Sequence, residues 1–151
     1  MYNFLLSYPR SGNHWVRFIV EWFSGQPTMG AYGNPKDTPI CIKTSHRTLL
    51  SHVNRGADYI LHKAHDSKNV RNAKRLILVL RNPKECVVRH TGSFNENDIE
   101  KYMDLIIFFE KFKGDKLLLY YEDLLSNPKI EVEKLLDFLN IKKTKIKQFS
   151  K

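Results

Sequence analysis

Residues 5–23 read LLSYPRSGNHWVRFIVEWF, and this stretch decides the fold. An apolar run at residues 4–6 has the character of a strand and stops at Ser7, where a Pro and several small or polar residues follow. Apolar residues then recur at helical spacing, at Val16, Ile19, Val20 and Phe23. A strand that passes through a short loop into a helix presents backbone N–H groups at the helix N-terminus, where anions bind. The stretch therefore predicts a first β-α unit with an anion-binding loop.

The rest of the chain repeats the alternation of strand and helix. Further apolar runs of strand length lie at residues 40–42, 59–61, 76–80 and 117–120. The run at 76–80 is continuous and branched, which is typical of a strand buried on both faces of a parallel sheet. Helical patterns cover residues 15–23, 98–112 with a stop at Gly114, and the segment from Asn127-Pro128 onward. We therefore expect an α/β fold with three layers and a mainly parallel sheet of about five strands.

Composition sets the class of protein. The chain has 151 residues, 42% of them hydrophobic, which suits one domain covering residues 1–151. No apolar run approaches the roughly 20 residues of a membrane span, and the N-terminus lacks a secretory pattern, so we expect a cytoplasmic protein. Cys41 and Cys86 are too few and too far apart to indicate a disulfide framework or a zinc site.

The charge of the chain favours anionic partners. The net charge is +9, which is typical of proteins that bind nucleic acid, phosphorylated nucleotides or acidic glycans. Part of this charge lies in the Lys-rich end after residue 141, which we read as a solvated and mobile surface.

The loop after the first run carries the residues that a phosphate site needs. Arg10 offers a fixed charge and a bidentate fork, Ser11 a hydroxyl donor, and Gly12 room for close approach of the backbone. The GxxxxGK[ST] pattern of nucleotide-triphosphate loops is absent. On these residues alone, a phosphate cradle and an ordinary turn between strand and helix both remain open.

A known family shares these features. YPRSGNHW, residues 8–15, resembles the 5′-phosphosulfate loop of sulfotransferases that use 3′-phosphoadenosine 5′-phosphosulfate (PAPS). In the same order, HKAH at 62–65 is similar to that family's Lys-Thr-His, and RLILVLRNPKECVV at 75–88 to its 3′-phosphate segment. LLLYYEDLLSNPKIEVEKLLDFLNI at 117–141 resembles its downstream Tyr-Glu-Asp and helix. The ordered set covers almost the whole chain and implies a P-loop-like fold.

The resemblance implies a nucleotide site. Arg10 would neutralise the phosphosulfate, Arg81 would bind the 3′-phosphate, and Arg89 stands where the family usually has a second 3′-phosphate ligand, a Ser. The 5′-phosphate would receive hydrogen bonds from Ser11, Gly12, Asn13 and His14. Trp15 and Tyr121 would lie near the nucleotide. A core position for either aromatic residue, and a surface ion pair for Arg81, remain alternatives.

The resemblance also implies a catalytic pair. His65 would take the proton of the acceptor hydroxyl, and Lys63 would stabilise the leaving oxygen, as the chemistry of loose in-line transfer requires. Alternation along an extended segment directs both side chains to one side. Lys43 with His46, at a less suitable spacing, and Glu21 on the first helix are the alternatives. The chemistry needs no metal.

The resemblance ends short of the whole family pattern. Most members are longer and close a C-terminal loop over the 3′-phosphate. The resemblance therefore implies a weaker hold on the nucleotide, or one completed by the Lys-rich end or by a second subunit of a homo-oligomer. Residues 24–58 and 90–100 are the expected acceptor walls, and residues 24–39 are expected to form a loop. The basic excess favours a polar or acidic acceptor over a hydrophobic phenol. Because basic residues lie in the motif loops as well as in the tail, nucleic acid is not the expected partner. A small P-loop kinase and a non-catalytic nucleotide or polyanion-binding module remain the alternative functions.

Overall fold

A computed structural model describes residues 1–31 and 59–143, and the elements below belong to these ranges. They contain one parallel sheet in the order β2-β3-β1-β4-β5. Its strands are β1 (Tyr2–Ser7), β2 (Thr28–Met29), β3 (Leu61–Ala64), β4 (Ala73–Leu80) and β5 (Asp115–Tyr120). The helices are α1 (Asn13–Ser24), α2 (Pro83–Thr91), α3 (Glu96–Lys111), α4 (Tyr121–Ser126) and α5 (Pro128–Phe138).

Helices cover both faces of this sheet. On β4, Leu76, Leu78 and Leu80 belong to a core cluster with residues of α2 and α3 such as Val87 and Leu105. Ile77 and Val79 face the other way and belong to a second cluster. That cluster takes its helical members from α1, α4 and α5, with Ile19, Val20, Leu124, Leu135 and Leu136 among them. The alternation explains the continuous apolar run, and the expected three-layer α/β fold with a five-strand parallel sheet is confirmed.

The register brings three strand ends to the same level. Leu6 of β1 lies opposite Ala64 of β3 on one side and Leu78 of β4 on the other. After β1 the chain forms β2 and β3 on one side of that strand, and it later forms β4 and β5 on the other side. This change of direction creates a crevice at the carboxyl ends of the strands. Ligands of open α/β sheets bind in that crevice.

Several element boundaries differ from the sequence-based expectation. Within the expected loop at 24–39, Thr28–Met29 pairs with β3 as a short edge strand. Of the expected strand at 59–61, only Leu61 belongs to β3, which extends to Ala64. The short helix α4 carries no apolar pattern that predicts it. The expected strand at 40–42 lies outside the described residues.

Gly114 does not end α3, contrary to our expectation. The helix stops at Lys111 and Phe112 is its C-cap. A Cβ atom on Gly114 would lie 2.8 Å from the Phe112 ring and 3.0 Å from the carbonyl oxygen of Lys74. Glycine is therefore required where the chain passes close to β4 before it enters β5.

Candidate functional site

The loop at residues 8–12 joins β1 to α1 and has a constrained backbone. Ser11 N–H donates to the Tyr8 carbonyl oxygen at 3.3 Å. Arg10 and Gly12 adopt left-handed conformations with φ of 67° and 96°. Gly12 is the N-cap of α1, and no side-chain hydrogen bond caps this helix. A positive φ is uncommon for an arginine and is often found at functional sites, and an N-cap without a side chain suits an anion at the helix N-terminus.

Two separate segments of the chain meet at the ring of Tyr121, the first residue of α4. A Cβ atom on Gly12 would lie 2.6 Å from Tyr121 Cδ2, so the loop backbone rests directly on the ring. The Trp15 ring packs edge-on at a centroid distance of 5.9 Å. The Arg81 guanidinium lies 4.2 Å from the centroid of the Tyr121 ring, within the range of a cation–π contact.

Arg81 follows β4 directly and connects the two loops. Its Nη1 donates to the Arg10 carbonyl oxygen at 3.2 Å. The backbone around it is fixed in turn, because Tyr102 Oη donates to the Arg81 carbonyl oxygen at 2.9 Å and Asn82 N–H donates to Glu122 Oε1 at 3.0 Å. The sequence-predicted residues Arg10, Gly12, Trp15, Arg81 and Tyr121 are thus brought together. The loops at the ends of β1 and β4 consequently form one surface.

Arg89, the remaining cation predicted for the nucleotide, lies two helical turns from Arg81. Glu85 stands between them: its Oε2 is 3.7 Å from Arg81 Nη2 and 3.4 Å from Arg89 Nε. The Arg89 side chain is 60% exposed, whereas that of Arg81 is 15% exposed. Sequence reasoning did not single out Glu85, although its spacing of four residues from each arginine is a visible signal for one helix face.

Two of the residues predicted to donate hydrogen bonds to the 5′-phosphate, Ser11 and Asn13, have side chains that point inward. Ser11 is fully buried, and its hydroxyl lies beside the Cys86 thiol. Burial raises the pKa of this thiol, and the Ser11 hydroxyl offsets part of that rise. Asn13 is also buried, and its Nδ2 donates to Ser7 Oγ at 2.9 Å. The Asn13 side chain thus ties α1 to β1, and the Ser11 hydroxyl lies on the side of α2, where Cys86 is located. His14 follows in the first turn of α1 and is exposed.

His65 lies immediately beyond β3, beside the start of the same loop. Its Nδ1 is 2.7 Å from the Ser7 carbonyl oxygen. A carbonyl oxygen can only accept, so Nδ1 carries the proton in this contact, and in the neutral form of the ring Nε2 is the acceptor nitrogen. Lys63 lies within β3, opposite Leu5, and is half-buried. The hydrogen bond between His65 and the Ser7 carbonyl oxygen fixes the orientation of the His65 ring where the strands end.

Of the alternative bases, Glu21 lies within the described residues, where its side chain is buried. Glu21 is 1% exposed, and its Oε1 accepts hydrogen bonds from Thr28 N–H at 3.1 Å and from Thr28 Oγ1 at 2.5 Å. Thr28 Oγ1 also accepts from Arg17 Nε at 2.8 Å. Glu21 therefore helps to hold α1 against β2 in a buried polar cluster. Lys43 and His46 lie outside the described residues.

Tyr8, the first residue of the loop, contacts Asp98 of α3, and sequence reasoning singled out neither residue. The Tyr8 hydroxyl lies beside the Asp98 carboxylate; burial, and then this carboxylate, raises the pKa of Tyr8 to about 12. The pKa of Asp98 is lowered, chiefly by a hydrogen bond from Asn95 and also by Lys101. The Tyr8 ring additionally packs against His90 and Tyr102. No local pattern predicts a contact between residues 90 positions apart.

Two further observations concern possible ligands. In the described part of the chain, no group of three or more His, Cys, Asp or Glu side chains could hold a metal ion, and no helix there is long and apolar enough to cross a membrane. A hollow of about 510 Å³ lies at the start of α3, within the expected acceptor wall at 90–100. Its lining consists of Phe94, Asn95, Glu96, Ile99 and Glu100.

Comparisons with known proteins show the fold. No family model and no curated protein matches the chain. Mouse sulfotransferase SULT7A1, solved in complex with PAP, superposes with a TM-score of 0.64 at 19% identity over 98% of this chain, which spans 62% of that protein's length. An unliganded sugar kinase from a Janibacter species superposes with a TM-score of 0.55 at 11% identity, covering 93% of this chain and 94% of the kinase. The chain thus shares a P-loop-like α/β fold with enzymes that transfer sulfuryl or phosphoryl groups.

Proposed function

We propose that this protein is a PAPS-dependent sulfotransferase that moves a sulfuryl group to a hydroxyl or amine acceptor. The observation that carries the proposal is the meeting of Arg81, Tyr121 and the Arg10 loop at the carboxyl ends of β1 and β4. A nucleotide with phosphate groups on both its 5′ and 3′ sides needs cationic contacts at two places in one hollow. Arg10 and the backbone amides at the start of α1 would serve the 5′ side, and Arg81 with Arg89 would serve the 3′ side.

The two phosphate sites draw on different chemistry. At the 5′ side, backbone N–H groups of residues 12–14 and the dipole of α1 would bind the phosphosulfate, and the Arg10 side chain would balance its charge. At the 3′ side, Arg81 offers a guanidinium held by the Arg10 carbonyl oxygen and the Tyr121 ring. Trp15 and Tyr121 would provide the aromatic surface near the adenine.

The proposed transfer step requires no metal ion. The bond between sulfur and the bridging phosphate oxygen breaks as a bond forms between sulfur and the acceptor oxygen, and the acceptor's proton passes to His65 Nε2. The nucleotide leaves as adenosine 3′,5′-bisphosphate (PAP), with Lys63 and Arg10 stabilising the developing negative charge. The acceptor proposed is polar or acidic, in keeping with the net charge of +9, and the proposed location is cytoplasmic.

A kinase is the second candidate because a sugar kinase shares the fold. Its loop would need a Gly-Lys-Ser/Thr sequence to hold a nucleotide triphosphate, whereas this chain has Arg10-Ser11-Gly12. The two functions therefore require different nucleotides, and nucleotide binding separates them. A non-catalytic polyanion-binding module would instead show steep salt dependence with little nucleotide specificity.

Thermal unfolding with added nucleotide tests the proposal. We expect PAP to raise the Tm by several degrees, since a ligand that binds only the folded state stabilises it, and ATP with Mg²⁺ to raise it less. Arg81→Ala should abolish most of the PAP shift. Arg71→Ala, which removes an exposed arginine from the turn after β3, is the matched control and should retain it. A larger shift with ATP and Mg²⁺ than with PAP would favour the kinase and overturn the proposal.

A further inference from the structure

Glu85 shares one carboxylate oxygen between two arginines that face the proposed 3′-phosphate site. Oε2 lies 3.7 Å from Arg81 Nη2 and 3.4 Å from Arg89 Nε. The spacing of four residues at each step aligns the three side chains on one side of α2 and of the turn that precedes it. Two guanidinium groups that converge on a single anionic oxygen also form the arrangement that binds a phosphate.

The two arginines depend on Glu85 to different degrees. Arg81 is oriented independently, because it donates to the Arg10 carbonyl oxygen at 3.2 Å and lies 4.2 Å from the Tyr121 ring centroid. Arg89 is 60% exposed, and its described ion pair is with Glu85. Without an anion between them, two like charges would repel and Arg89 would extend into solvent. Glu85 is thus better suited to balance the pair than to orient Arg81.

We propose that Glu85 is an internal counter-ion, which occupies the place of one phosphate oxygen between Arg81 and Arg89 and is displaced when a 3′-phosphate binds. The inference rests on the proposed function and makes Glu85 a determinant of nucleotide specificity. A dianionic phosphate exchanges one shared carboxylate contact for several charge-assisted hydrogen bonds, and a 3′-hydroxyl cannot make that exchange. Because the Glu85 side chain is 54% exposed, its pairs are weak and can be displaced.

Binding of two nucleotides to Glu85→Gln tests this inference. The nucleotides are PAP and adenosine 5′-phosphate, which differ only in the 3′-phosphate, and the measurement is Kd by calorimetry at low and moderate salt. We expect Glu85→Gln to bind PAP about 3–10-fold more tightly, the effect of removing one partly exposed charge. Affinity for adenosine 5′-phosphate should change less than about twofold, and the gain for PAP should shrink as salt screens it.

Two further variants complete the test. Glu110→Gln makes the same change of charge at an exposed position of α3 and should leave both Kd values as in the wild type. Arg89→Ala should weaken PAP binding and spare adenosine 5′-phosphate. Weaker or unchanged PAP binding by Glu85→Gln, or unchanged PAP binding by Arg89→Ala, would overturn the inference and leave the proposed function intact. If the wild type binds no PAP, the proposed function is wrong and the inference falls with it.

Discussion

At the scale of single residues, Gly12 has no room for a side chain. Its φ of 96° is left-handed, and a Cβ atom would lie 2.6 Å from Tyr121 Cδ2. Gly25 is also left-handed, with a φ of 68°, but nothing lies within 4 Å of a Cβ atom there. We expect Gly12→Ala to lower the free energy of unfolding by about 1–3 kcal/mol more than Gly25→Ala, the usual cost of overpacking. Urea denaturation of both variants measures the difference. Equal decreases in the free energy of unfolding would show that the Tyr121 ring can move aside without loss of stability.

His65 is the residue on which the proposed chemistry depends. A general base contributes about 10²–10⁴-fold to the rate, so His65→Ala should lower kcat for PAP release from PAPS at least about 100-fold. The PAP-induced shift in Tm should stay within error of the wild type, which separates loss of catalysis from loss of binding. Glu21→Gln keeps an acceptor oxygen for Thr28 and should retain transfer. Full activity of His65→Ala would move the base to Glu21 or to His46.

The residues of the candidate site differ in how far sequence could predict them. The resemblance implied that Arg10, Gly12, Arg81 and Tyr121 would lie at one nucleotide site, and the structure brings them together where the carboxyl ends of the parallel strands meet. The inward direction of the Ser11 and Asn13 side chains was not predicted, since a motif fixes the order of residues and not which of them the core buries. The Tyr8–Asp98 contact depends on packing between distant segments, which leaves little trace in local spacing. Glu85 was missed although its spacing of four residues from each arginine is visible in the sequence.

At the scale of elements, prediction succeeded where burial imposes a pattern. β4 and α5 carry long apolar runs or stripes because each packs into the core, and their positions follow from those residues. β2 has two residues, and its identity as a strand comes from pairing with β3. α4 is six residues long and contributes the buried Leu124, too little for a periodic signal. Elements defined by their neighbours were therefore the ones missed.

The start of α3 should make stability depend on pH. Asp98 has a folded-state pKa below its ordinary value of 3.8, chiefly because of Asn95. A lowered folded pKa contributes stability at pH values above the unfolded pKa, and that contribution is lost as pH falls through the folded pKa. The wild type should thus be more stable than Asp98→Asn at pH 7, and the gap should close between about pH 5 and pH 2.

Chemical denaturation across that range, followed by circular dichroism, measures the gap. Asp104→Asn changes an exposed carboxylate on the same helix and should stay parallel to the wild type. A gap between wild type and Asp98→Asn that stays constant down to pH 2 would show that Asp98 acts through packing and not through its charge.

At the scale of the whole molecule, the order of the sheet places the candidate site. β1 is central, with β3 on one side and β4 on the other. The loops after these three strands therefore bring the Arg10 loop, His65 and Arg81 to one edge. The opposite edge holds other contacts: Arg75 near the start of β4 lies 5.8 Å from the Phe138 ring centroid. A ligand bound at the carboxyl edge should stabilise one end of the molecule and leave the other unchanged.

Hydrogen exchange with and without PAP tests this asymmetry. We expect PAP to slow exchange both in residues 8–16 and in residues 81–86, because a single nucleotide would hold both loops and suppress their local opening. Residues 136–141, near the opposite edge, provide the internal control and should exchange at the same rate in both states. In Arg81→Ala, protection of both loops should decline together, since loss of one phosphate contact weakens binding of the whole nucleotide. Protection confined to one loop would mean that the nucleotide does not bridge β1 and β4, and the two-site geometry that underlies the proposed function would be wrong.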